Sequence, residues 1–170
     1  MTQDSTALTV RFQYDDRYCA RVVEDGEPDS WIQVLVQVGE TDIYGGSSSP
    51  VTGFACGVVL HLLDSVEAVK IDQRYVIEFE YGPAWLTVDV IDDCSVEIAA
   101  CHTYEGANDP NERIGVDRVA TAPKEAWCRA ILELAHEFET TVINLDPGMK
   151  DHPAIEQLRQ RRSAVERSAT

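Results

Sequence analysis

Three alternating runs between residues 75 and 100 are joined by links too short to cross a sheet, and this fixes much of what the chain can fold into. Tyr75, Ile77, Phe79 and Tyr81 alternate with Val76, Glu78 and Glu80 as far as Gly82-Pro83. Leu86, Val88 and Val90 alternate with Trp85, Thr87 and Asp89 as far as Asp92-Asp93, and Val96, Ile98 and Ala100 alternate with Ser95, Glu97 and Ala99. Period two is the pattern of a strand with one face buried. Links of a few residues join only antiparallel neighbours, because a parallel crossover needs about a dozen. The middle of the chain therefore reads as an antiparallel meander.

Upstream, the first seven residues are polar and read as a frayed end. Leu8, Val10, Phe12 and Tyr14 then alternate with Thr9, Arg11 and Gln13. Asp15-Asp16 reads as a turn, and Tyr18, Ala20 and Val22 as the return strand of a hairpin. The stretch from Glu24 to Ser30 is a loop on its Gly, Pro and Asp content. From Trp31 to Val38, Ile32, Val34, Val36 and Val38 point one way and Gln33 and Gln37 the other. Gly45-Gly46-Ser47-Ser48-Ser49 reads as a connector, and Ser49-Pro50 as an N-cap followed by proline in the first turn. Phe54, Val58, Leu62 and Val66, at spacing four, predict a helix from Pro50 to Val69. Gly53 and Gly57 weaken it and keep a strand open as the alternative.

After a polar loop from Thr103 to Arg113, Ile114 to Val119 reads as a last short strand. Trp127, Ile131, Leu134, Phe138, Val142 and Leu145 form one apolar stripe, predicting an amphipathic helix from Pro123 to Leu145. Asp146-Pro147-Gly148 stops it, and a charged helix from Ala154 to Arg167 follows, with Ile155, Leu158 and Val165 to pack. The expected architecture is α+β: an antiparallel sheet of about six or seven strands with two main helices packed on one face. Residues 1–150 form a single domain and residues 151–170 a charged C-terminal helical tail. The uncovered face would carry Gln33, Gln37, Glu78, Glu80, Thr87, Asp89 and Glu97 and would be wet and negative.

Composition enters through charge. Thirty Asp and Glu against fourteen Lys and Arg give a formal charge of −16 over 170 residues. The excess runs the length of the chain, and the 44% apolar share is that of a globular protein, so the acid belongs to a folded surface. Such a surface repels nucleic acid and anionic membrane and attracts basic proteins. The five cysteines (Cys19, Cys56, Cys94, Cys101, Cys128) are odd in number and scattered, which points to a reducing compartment. With the polar start Met1-Thr-Gln-Asp, the expected location is cytoplasmic.

No catalytic motif accompanies the charge. Cys101 and His102 are adjacent and point to opposite faces of a strand, so they cannot act on each other. A remote partner such as Cys128 or His136 remains open. The histidines and cysteines lack zinc-site spacing, and the carboxylates lack calcium-loop spacing. Gly45-Gly46 and the serines that follow lack the lysine of a phosphate-binding loop. No catalytic, cofactor-binding or metal-ligating residue is assigned. Strand parity instead marks Trp31, Gln33, Gln37, Glu78, Glu80, Trp85 and Asp89 as a protein-binding face, since Trp anchors interfaces.

Asp29-Ser30-Trp31-Ile32-Gln33-Val34-Leu35-Val36-Gln37-Val38, followed by helix, antiparallel meander and C-terminal helix, resembles the small acidic immunity proteins of bacterial polymorphic and contact-dependent toxin systems. Many of those are single cytoplasmic α+β domains with a strand opening on Trp. The resemblance covers the architecture of most of the chain, and no residue role is carried over. It implies a non-enzymatic antitoxin-type inhibitor whose carboxylates occupy the basic cleft of a toxin. Two alternatives stand beside it. One is an acidic accessory or structural protein of a salt-adapted organism. The other is a small enzyme that uses a cysteine or histidine near Cys101, His102 or His136.

Overall fold

A computed structural model describes residues 7–168, and its strands pair antiparallel throughout in two four-stranded sheets. The α+β class is as expected. The strands are shared between two sheets instead of lying in one, and a single core of apolar side chains joins them. Apart from Ala7, the polar start lies outside the described residues.

The first sheet is built on β2 (Trp31–Val38). One edge of β2 takes β1 (Leu8–Gln13) along its full length. The other edge is divided, with β3 (Thr41–Tyr44) beside its second half and β4 (Val51–Phe54) beside its first. Val10, Phe12, Ile32, Val34, Val36, Val38 and Val51 face inward and are buried. The second sheet runs in the order β5 (Tyr75–Glu78), β6 (Trp85–Val90), β7 (Ser95–Cys101), β8 (Arg118–Pro123). Its inner face supplies Ile77, Leu86, Val88, Val96, Ile98 and Ala100 to the same core. The sheets meet where β3 and β8 approach, and there the Tyr44 hydroxyl donates to the Trp85 carbonyl at 2.6 Å.

Where a return strand was expected, the chain forms helix α1 (Asp16–Asp25). Asp15 is its N-cap, accepting from Tyr18 N, and Gly26 ends it at φ 63°, a left-handed conformation that glycine adopts without strain. Tyr18 and Val22, four apart, are fully buried while Ala20 between them is not. Three apolar residues at spacing two also contain a pair at spacing four; burial of that pair in the core selects the helix, and the caps set its ends.

The helix expected from Pro50 is likewise shorter. β4 occupies residues 51–54, and α2 runs Ala55–Lys70. Asp29 Oδ1 accepts from Cys56 N at 2.9 Å and Gly57 N at 3.3 Å, so a carboxylate remote in sequence satisfies the free amides of the first turn. The last strand is displaced from residues 114–119 to 118–123, and the preceding loop contains the short helix α3 (Tyr104–Asn108).

Helices α4 (Lys124–Leu145) and α5 (Pro153–Arg167) lie close to the expected bounds. α5 is built into the body: Ile155, Leu158 and Val165 are fully buried. Its arginines reach carboxylates on α2 and α4. Arg161 grips both Asp64 and Glu67, while Arg159 and Arg162 flank the buried Glu139. Among the described residues no helix is long and apolar enough to cross a membrane.

Candidate functional site

Trp31 opens β2 on the outer face of the first sheet, opposite Phe54 of β4 in the strand register. Two contacts hold this end of β2 in place: the Asp29 cap on α2, and Ser30 O accepting from Ala55 N at 3.0 Å. The indole stacks on the Phe54 ring with centroids 4.2 Å apart and planes 28° apart. Tyr81 stands edge-on to Trp31 at 6.5 Å. Trp31 is 39% exposed and Tyr81 74% exposed.

Tyr81 reaches this position from the other sheet, on the tip of the β5–β6 hairpin. Phe79 N donates to Ala84 O at 2.9 Å and closes the tip, and Gly82 takes φ 84°, which the turn requires before Pro83. Glu80, on the same tip, accepts from Phe54 N through Oε2 at 3.3 Å. Glu78 lies one rung down, opposite Trp85. Both Glu78 and Glu80 are exposed, and among the described residues neither pairs with a cation. Trp31, Tyr81 and the uncompensated Glu80 thus share one corner between the sheets, with Glu78 at the nearby end of β5.

The other residues expected at a binding face are distributed differently. Gln33 and Gln37 do lie on the outer face with Trp31, but the strand carries Gln37 about 20 Å away. Gln33 lies between Gln13 and Thr52, Gln37 between Thr9 and Asp42, and Arg11 opposite Leu35, so one carboxylate and one guanidinium share this stretch and it carries no net negative charge. Trp85 is half-buried against Val76, Ala99, Cys101 and Ala107 in a small second core beneath α3. Thr87, expected to be wet, is fully buried. Asp89 meets Arg74 at 2.8 Å and Arg113 at 3.8 Å, and Glu97 meets Arg113 at 2.7 Å. The second sheet's outer face is therefore covered and largely neutralised, because the loop after β7 folds back over it. The single wet, negative face expected from strand parity shrinks to the corner at Trp31.

Phe54 and Tyr81 complete that corner and lay outside the predicted set. Phe54 had been read as part of a helical stripe. Reading Val51-Thr52-Gly53-Phe54 at period two, with Phe54 on the outer face, would have placed it beside Trp31.

Two further places bear on chemistry. His102 Nδ1 lies 2.8 Å from Asp117 Oδ1, and Asp117 is almost wholly buried. Asp117 also accepts from His102 N and from Ile114 N, both at 3.0 Å. All its donors belong to the segment it closes, so the carboxylate staples the loop between β7 and β8. Burial pushes the Cys101 thiol up, with Arg113 acting the other way, and burial also pushes up the Cys56 and Cys128 thiols. A thiol raised in this way is a poor nucleophile at neutral pH. An open groove on α4, lined by Cys128, Leu132, His136, Glu125, Arg129 and Glu133, draws on that one helix alone, whereas binding pockets converge polar groups from several elements. No protein-family model matches this sequence, and neither a curated protein nor a solved structure matches it.

Proposed function

We propose that the protein is a non-enzymatic binding protein that docks the Trp31–Tyr81 corner onto a basic protein partner, in the manner of an immunity or antitoxin-type inhibitor. One observation carries this reading: among the described residues Glu80 has no cation partner and lies against the partly exposed Trp31–Phe54 stack near the exposed Tyr81, and the exposed Glu78 at the end of β5 is likewise without one, while Asp89 and Glu97 on the same sheet are paired with arginine. Solvent-exposed aromatic area is costly to leave uncovered and is enriched at protein interfaces. Carboxylates at its rim steer a cationic partner and speed encounter. The net charge of −16 extends that attraction beyond the contact area at low salt.

The test is to read the open reading frame beside its gene and, where that frame encodes a basic protein, to measure association kinetics with it. A tight 1:1 complex is expected whose on-rate falls as salt rises. Reversing both charges, Glu78→Lys with Glu80→Lys, should slow association at low salt by roughly tenfold or more and change dissociation less. An on-rate indifferent to that reversal rules out this corner as the docking face.

A further inference from the structure

The corner has the chemistry of a site for one particular side chain. We infer that it takes an arginine of the partner as its anchor, which rests on the reading of this corner as the docking face. One side of the Trp31 indole is covered by Phe54, stacked at 4.2 Å, and the exposed remainder is left for a ligand. Tyr81 meets the indole edge-on, at 76°, so the two rings form an angle and not a flat wall. Their π faces attract a cation, and a planar guanidinium stacks on such a face where a compact, strongly hydrated ammonium does not.

The carboxylate is also in position. Glu80 Oε2 is held by Phe54 N, which fixes the head group next to the Trp31–Phe54 stack. Oε1 has no hydrogen bond among the described residues. A guanidinium lying on the indole can offer one N–H pair to Glu80 while keeping its plane on the ring, and Glu78, two residues before it at the end of β5, adds a second negative charge. Charge complementarity thus selects a cation, and ring geometry selects arginine over lysine. The covered face around Asp89 shows the same pairing inside the molecule, where Arg74 and Arg113 already supply the guanidinium groups.

The experiment uses deca-arginine and deca-lysine peptides titrated into the full chain at low salt, read by calorimetry and by tryptophan fluorescence. Both peptides should bind through the general acidity, with deca-arginine tighter by about fivefold, the size of a cation–π contact at an exposed site. Trp31→Ala should bring the two affinities together, and so should Tyr81→Ala, a substitution on an exposed hairpin tip that leaves the core untouched. Melting curves identify a Trp31→Ala protein that has lost its fold, and in that case Tyr81→Ala decides. Equal affinities in the unsubstituted protein, or a preference that survives Tyr81→Ala, overturn the arginine anchor but leave acidic docking intact. Failure of both peptides to bind overturns the docking reading itself.

Discussion

Replacing Glu139 with glutamine removes the carboxylate shared by Arg159 and Arg162 while keeping the side chain's volume. The Glu139 side chain is 11% exposed and that of Arg162 15%. Arg159 Nε donates to Glu139 Oε1 at 2.7 Å, and Arg162 Nη1 sits 2.8 Å from Oε2 as a charge contact without hydrogen-bond alignment. With the carboxylate gone, Arg162 keeps only His136 at 3.3 Å and the exposed Glu166 at 3.6 Å. Removing one partner of a fully buried pair costs about 3–5 kcal/mol. Arg159 is open enough to rehydrate and the amide oxygen can still accept one hydrogen bond, so about 2 kcal/mol is the appropriate figure here. For a chain of this length that lowers the midpoint of thermal unfolding by about 4–8 °C. Urea unfolding followed by circular dichroism and by tryptophan fluorescence gives the free energy, and coincidence of the two probes checks the two-state assumption. Adding Arg162→Met to Glu139→Gln should cost less than Arg162→Met alone, because the orphaned charge is then gone. A loss under about 0.5 kcal/mol, or additive costs in the double substitution, would refute the view that this ion cluster seats α5.

Other outcomes follow from the same structure. The Arg161 hydrogen bond holds the Glu67 carboxyl below its ordinary value of 4.5. A depressed folded value means that this stabilisation is full above about pH 4.5 and fades as pH falls through the lower folded value. The stability difference between the protein and Arg161→Met should therefore be level from pH 8 to 6 and shrink toward pH 3, and a pH-independent difference excludes the pairing. Of the five free thiols, Cys94 is exposed and Cys56 and Cys101 are buried, so a thiol-reactive dye should label Cys94 first under native conditions. Fast reaction at Cys101 or Cys128 would instead revive a nucleophilic role there. Added KCl should raise the melting temperature modestly up to about 0.2 M, by screening self-repulsion, and little beyond. A chain that unfolds below molar KCl would mark its acidity as salt adaptation and count against a docking face.

What the sequence made legible was local and periodic. The β5–β7 meander needed only alternation and short links, and α4 only its long apolar stripe. The misread elements are those decided by distant partners. Nothing near residue 55 announces a helix start, because the capping carboxylate is Asp29, brought there by β2. Tyr18, Ala20 and Val22 satisfy both periods over five residues, and tertiary burial picks the helix. The site was half legible for the same reason. Parity put Trp31 and Glu78 on exposed positions of their strands, and Glu80 is exposed on the hairpin tip beyond β5, yet parity cannot show that a loop folds over one sheet and pairs Asp89 with Arg74 and Arg113.

The structure also divides the acidic residues by what they do. One set caps turns and helices, as Asp15, Asp29, Asp92 and Asp146 do by accepting backbone N–H groups. A second set receives arginines, as Asp64, Glu67, Asp89, Glu97 and Glu139 do. Carboxylates of both sets have at least one oxygen engaged within the fold. Of the carboxylates outside both, Glu125, Glu133 and Glu137 line the outer side of α4 among Arg129 and Leu132, next to no exposed aromatic ring. A charge in that setting repels anions but provides no desolvated contact on which binding energy can concentrate. At the sheet corner Glu80 borders the exposed ring surface of Trp31 and Tyr81, so the cation proposed to bind there gains ring contact as well as charge. On the proposed reading, net acidity governs how fast a basic protein arrives, and the Trp31–Tyr81 corner which one stays.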